Sequence, residues 1–175
     1  DNTGPTSTAS YSTNTLNDGT SQTITVTFGE AVTGTPTIAL SGAKTVSATS
    51  MSGSGDTWTY AAGTVWTGDG TVTVTVGTAT DGTGNTVNST PTSNTFTIDN
   101  TKPVALFASI VKSNTVMVFF NEELDTSTVD SSDFEIQDNT VEASSVILST
   151  GREIQLTVGT TLTSEESPTV SIRAD

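Results

Sequence analysis

The residues in this sequence best equipped for chemistry are carboxylates set in turn-like stretches. Asp1 lies in "DNTGP", Glu30 in "FGEAV", Asp69 in "GDG", Asp81 and Asn85 in "TDGTGN", Asp99 in a second "DNT", and Glu122, Glu123 and Asp125 in "FNEELD". Hard oxygen donors scattered over short loops suit Ca²⁺, which accepts roughly six to eight oxygens at about 2.3–2.6 Å in irregular cages. Mg²⁺, which demands near-octahedral geometry, suits them less. The same residue types also build Asx-turns and caps, so a purely structural role competes with the ligand role at every one of these positions. The rest of the chemical inventory is sparse. With no histidine and no cysteine, the chain lacks the commonest general base, a thiolate nucleophile, disulfides and the usual zinc ligands. It reads as non-enzymatic, with no catalytic residue.

Charge narrows the partners. The 175 residues carry 19 acidic and 5 basic groups, a net charge of −14. Residues 1–98 hold 6 acidic and 1 basic, and residues 99–175 hold 13 and 4. Nucleic acid and anionic membrane surfaces are poor partners for such a chain, and cations are good ones. No apolar run approaches the length of a membrane span. Without an initiator methionine or a signal peptide, the sequence reads as an excised piece of a longer protein.

The elements that must position these carboxylates are strands. Threonine alternates with aliphatic or aromatic residues in "TITVTF", "TVTVTV" and "TFTI", the period-2 pattern of a half-buried strand. Turn signals such as "NDG", "SGSGD", "GDG" and "DGTGN" separate them. The pattern predicts strands near 7–12, 21–28, 35–40, 44–50, 56–62, 70–77 and 93–98. Further strands are predicted at 114–120, 133–137, 141–148, 152–158 and 168–174. The repeat of "DNT" at Asp99 divides the chain into two modules of β-sandwich size, 1–98 and 99–175. The second would lack its last strand, either cut off or supplied by another segment. Ile24, Val26, Phe28, Val72, Val74, Val76 and Phe96 should fill the first core. Val116, Val118, Phe120, Ile154, Leu156 and Val158 should fill the second. Trp58 and Tyr60 should face the first core, and Trp66, beside "TGDG", should be partly exposed.

These stretches also carry a family resemblance over nearly the whole chain. "ITVTFGEAVTG", "SGSGDTWTY", "DGTVTVTV" and "NTFTIDNTKP" resemble the bacterial immunoglobulin-like repeats of large surface adhesins. "NTVMVFFNEELDTSTVDSSDFEI" is similar to the immunoglobulin-like domains of archaeal and bacterial S-layer proteins. The resemblance implies two tandem immunoglobulin-like β-sandwiches at the extracellular surface of a prokaryotic cell. It also implies a structural role, most readily in an S-layer subunit. The partners would then be neighbouring modules of the same chain and other copies of it in a lattice. Spacer repeats of an adhesin stalk are the alternative, and a carbohydrate-binding or accessory module of a secreted enzyme a more distant one.

In that topology the start of the first strand, the loop after the second and the loop before the last meet at one pole. Asp1, Glu30, Asp81 and Asn85 would gather there. The opposite pole of module one carries Asp18 and Asp69, facing the linker that holds Asp99. A calcium ion bridging Asp69, Asp99 and Glu122, with Glu123 and Asp125 nearby, would relieve repulsion between two acidic modules. The repeated "DNT" would then be a joint that a cation can lock, with Pro103 restricting it further.

Overall fold

The computed structural model describes residues 2–125, 127–137, 141, 147–148, 151–162 and 169–173. The chain divides into two compact units, Asp1–Thr101 and Lys102–Asp175. The second "DNT", residues 99–101, therefore belongs to the first unit.

Unit one is a sandwich of two sheets. Its strands are β1 (Ser7–Tyr11), β2 (Thr15–Leu16), β3 (Gln22–Phe28), β4 (Thr37–Gly42), β5 (Val46–Ser50), β6 (Ser52–Ser54), β7 (Thr57–Gly63), β8 (Gly70–Gly77) and β9 (Thr95–Ile98). One sheet runs β1-β3-β7-β6 and the other β2-β9-β8-β4-β5. All neighbours are antiparallel except β2 and β9, which are parallel. The threonine alternation sets the faces: along β3, Ile24, Val26 and Phe28 point inward while Thr23 and Thr27 stay exposed. Val72, Val74 and Val76 do the same on β8, and with Phe96, Ile98, Trp58 and Ile38 they form one continuous core.

Two details depart from the pattern reading. Residues 44–50 are not followed by a turn leading directly to the next strand. Instead β5 pairs with β4, and the chain crosses at buried Met51 to β6, which pairs with β7 in the other sheet. β6 hides inside "SGSGD", a string of turn residues. It is a strand because Gly53 lets two backbones close to a separation no side chain tolerates: a Cβ there would lie 2.4 Å from the Thr57 carbonyl oxygen. β2 is only two residues long, too short for any periodicity to reveal.

Unit two repeats the first sheet. β10 (Ala105–Lys112), β11 (Thr115–Phe120), β13 (Ile147–Leu148) and β14 (Glu153–Thr157) lie in the order β10-β11-β14-β13. β12 (Phe134–Ile136) and β15 (Val170–Ile172) form a separate antiparallel pair. Val116, Val118 and Phe120 of β11, Ile154 and Leu156 of β14, and Phe134 and Ile136 of β12 share its core with Val158 and Leu162. A single 3₁₀ turn, Ser131–Asp133, precedes β12. It is closed by a reciprocal capping box between Asp130 and Asp133. Most of the strand read at 141–148 lies outside the described residues. Within it, Val141 bridges Val158, and Ile147 and Leu148 pair with β14.

Truncating a core residue should be costly, and truncating its outward neighbour should not. Ile24→Ala is expected to lose about 2–5 kcal/mol, against less than about 0.5 kcal/mol for Thr27→Ala. Urea unfolding followed by tryptophan fluorescence checks this, because both tryptophans, Trp58 and Trp66, lie in unit one.

Candidate functional site: the Asp99-Asn100-Thr101 latch

At the end of unit one from which β9 exits, two loops form a socket: residues 17–21 after β2, and residues 64–69 after β7. Trp66 is its floor. The ring is fully buried, at 0% exposure, and meets Phe96 edge-on at 5.7 Å between centroids. Its Nε1 donates to the Thr20 carbonyl at 2.7 Å and its backbone N–H to Asp18 Oδ1 at 2.9 Å. The Lys44 ammonium stands 5.7 Å from the ring centroid and donates to the Val65 carbonyl. The expectation of a partly exposed Trp66 is thus overturned. Its neighbours "TGDG" are exposed, but the indole is drawn inward by Phe96 and by the Thr20 acceptor, so it offers no platform for a sugar ring.

Asn100 plugs this socket. Its Oδ1 accepts the Asp18 backbone N–H at 2.6 Å, and its Nδ2 donates to the carbonyls of Trp66 at 2.6 Å and Gly68 at 2.9 Å. Its backbone N–H donates to Asp69 Oδ1 at 2.5 Å, and Thr101 Oγ1 donates to Asp69 Oδ2 at 3.3 Å. Asp99 closes an Asx-turn by accepting the Thr101 N–H at 3.1 Å, while its own N–H donates to the Leu16 carbonyl at 2.7 Å. The three residues of the motif thus have separate tasks: Asp turns the chain, Asn joins two loops, and Thr completes the coordination of Asp69. Sequence reasoning brought Asp18, Asp69 and Asp99 to one pole, and they are there. It passed over Asn100, whose amide is the central group, because carboxylates drew attention first.

At the other pole three stretches also converge. The Gly29 N–H donates to the Thr6 carbonyl at 2.9 Å and the Asn88 N–H to the Pro5 carbonyl at 3.0 Å. A Cβ at Gly4 would lie 1.9 Å from the Thr86 carbonyl oxygen, so only glycine fits there. Asp1 lies outside the described residues, and Glu30 is exposed. Asp81, 2% exposed, is enclosed by its own loop. Its Oδ1 accepts the Thr83 N–H, the Thr83 hydroxyl and the Asn85 N–H at 2.8–2.9 Å, and its Oδ2 accepts Asn85 Nδ2 at 2.8 Å. Burial works against this charge, but the hydrogen bonds from Asn85 and Thr83 outweigh it and hold the carboxyl well below the usual carboxylate range.

In unit two, Asp125 accepts from the backbone and hydroxyl of Ser127, at 2.9 and 2.7 Å, and these bonds lower its pKa. Glu123 packs its side chain over Gly151, while Glu122 places a buried Oε1 that has no hydrogen-bond partner. Among the described residues no three acidic side chains come together in the manner of a metal cage.

The sequence matches no protein-family model and no curated relative. What the chain does must therefore be argued from this geometry.

Asn100→Ala removes three side-chain hydrogen bonds, each worth about 0.5–1.5 kcal/mol. It should destabilise unit one by about 1–3 kcal/mol in urea unfolding, and Asn100→Asp should cost more, since a carboxylate would face two carbonyls beside Asp69. The depressed pKa of Asp81 gives a second expectation. Its contribution is complete above the ordinary aspartate value of about 4 and is lost as pH falls through the lower folded value. The stability difference between the native chain and Asp81→Asn should therefore be constant from pH 7 down to about 4 and shrink only below it, as urea titrations at a series of pH values would show.

Proposed function

We propose that this chain is a structural, non-catalytic segment of a prokaryotic cell-surface protein, foremost an S-layer subunit, built from immunoglobulin-like modules in tandem. The observation that carries the reading is the latch. Residues 99–101 are fastened into the end of unit one. In unit two, the Val104 N–H is bound by Asn121 Oδ1 at 2.7 Å and the Val104 carbonyl accepts the Asn121 N–H. Only Lys102 and Pro103 separate the last fastened residue of one unit from the first of the next, and proline fixes one of the intervening dihedrals. A connection so short suits modules that serve as links in a coat. The strand orders support the same family. β1-β3-β7-β6 facing β2-β9-β8-β4-β5 is the wiring of an immunoglobulin-type sandwich, in which the first strand splits between the two sheets.

Calcium belongs to the proposal as the counter-ion of an acidic assembly, with Asp69 and Asp99 at the end of unit one as its points of contact. At a hundredfold excess over Kd, an ion bound only by the folded chain stabilises it by about 2.7 kcal/mol. Calcium should accordingly raise the melting temperature relative to chelator, and Asp99→Asn should lose much of that gain. The amide that this substitution introduces could still accept the Thr101 N–H, so the change separates ligand from turn. An equal calcium response in the two proteins would remove the cation from Asp99.

A further inference from the structure

We propose that Asn88 is a modification site, the acceptor of an N-linked saccharide transferred from a lipid-diphosphate carrier. Asn88-Ser89-Thr90 is the one place in the 175 residues where an asparagine is followed two positions later by serine or threonine with no proline between them. That spacing is the acceptor pattern for sugar transfer to an asparagine amide. The chain's encounter with the donor, which is used on the outer side of a membrane, rests on the cell-surface reading above. The acceptor itself rests on the geometry of unit one.

The three residues are raised between two anchors. Val87 is buried and donates its N–H to the Ala79 carbonyl at 3.0 Å, and Pro91 is buried as well. Between them Asn88, Ser89 and Thr90 are all exposed. Their backbone is nevertheless fastened: the Asn88 N–H donates to the Pro5 carbonyl and the Ser89 carbonyl accepts the Val76 N–H, each at 3.0 Å. The Asn88 side chain is oriented too, because its Oδ1 accepts the Thr90 N–H at 3.0 Å in an Asx-turn.

The groups that transfer would use are left over. Among the described residues neither Asn88 Nδ2 nor the Thr90 hydroxyl has a hydrogen-bond partner. The contrast with two other asparagines is plain, since Asn85 Nδ2 donates to Asp81 and Thr83, and Asn100 Nδ2 to two carbonyls. At Asn88 the oxygen alone holds the turn, so a sugar on the nitrogen leaves the turn in place. Residues 82–98 carry no charged side chain, so a diphosphate brought to this segment meets no carboxylate within it.

In the transfer, Asn88 Nδ2 forms a C–N bond to the anomeric carbon of the saccharide. The bond from that carbon to the diphosphate oxygen breaks, the lipid diphosphate leaves with the electron pair, and one amide proton passes to a base of the transferase. The rival reading is a turn and nothing more. A turn needs only an acceptor oxygen at residue 88, which aspartate supplies as well as asparagine, and it makes no use of the Thr90 hydroxyl.

This difference sets the test. The folded 175-residue chain is incubated with a purified single-subunit oligosaccharyltransferase that needs no acidic residue before the acceptor pattern, and with its lipid-diphosphate saccharide, and is then analysed by peptide mass spectrometry. One saccharide per chain should appear, on Asn88. Asn88→Asp should keep the turn and the melting temperature yet accept no sugar. Thr90→Val, which keeps the backbone N–H, should lose transfer by about tenfold or more, and Thr90→Ser should retain it. A peptide of residues 84–93 that is modified while the folded chain is not would show that the fold withholds the site, and would overturn the proposal. So would failure of both chain and peptide beside a standard acceptor peptide that is modified, and so would sugar that persists in Asn88→Asp. A missing calcium response bears on the cell-surface reading and leaves these readouts untouched.

Discussion

An extended backbone sends successive side chains to opposite faces, and this geometric constraint governs everything else in the molecule. Where threonine occupies every second position, the remaining positions must supply a whole core. They do so with valine, isoleucine, phenylalanine and one buried tryptophan. The threonines leave an outer surface that is polar without being charged. Such a surface keeps β-propensity high while the loops carry most of the acid of unit one. The loops can then be specialised around the few inward residues, such as Trp66, that they contribute to the core.

Those loops spend their acid on backbone amides. Asp69, Asp81, Asp99, Asp125 and Asp130 each accept at least one main-chain N–H within a few residues or from a neighbouring turn. A carboxylate used in this way satisfies donors that a turn would otherwise leave to water, and hydrogen bonds to the charged form favour its ionisation. Asn100 performs the complementary task. An amide can donate to two carbonyls and accept an N–H at once, which no carboxylate can do, so the central position of the motif calls for asparagine while its flanks call for aspartate and threonine.

Much of unit one was legible in the sequence because its strands alternate cleanly. β3, β7 and β8 fall within a residue or so of the spans that periodicity predicts. β6 was illegible because glycine and serine signal turns wherever they occur, and only the cross-strand approach at Gly53 makes that segment a strand. β10 escaped for a different reason. "ALFASIVK" is apolar without alternation, so it names no inner face, and in the structure most of it is exposed. Around the candidate site, the sequence reveals which loops share a pole once the strand order is supposed. It cannot reveal that the Trp66 indole turns inward, since that depends on Phe96, some thirty residues away, and on a carbonyl in another loop.

The parallel pairing of β2 with β9 has a mechanical consequence. Parallel strands point the same way, so the chain enters unit one near one pole and leaves it from the other. The hydrogen bonds joining these strands, among them the Asp99 N–H to the Leu16 carbonyl, lie across the line between the two ends. A pull on the ends loads them together, in shear, instead of peeling them apart one by one. The Asn100 plug sits next to the point where that pull leaves the unit, behind only Thr101, and is the clasp that keeps β9 from being stripped out of its sheet.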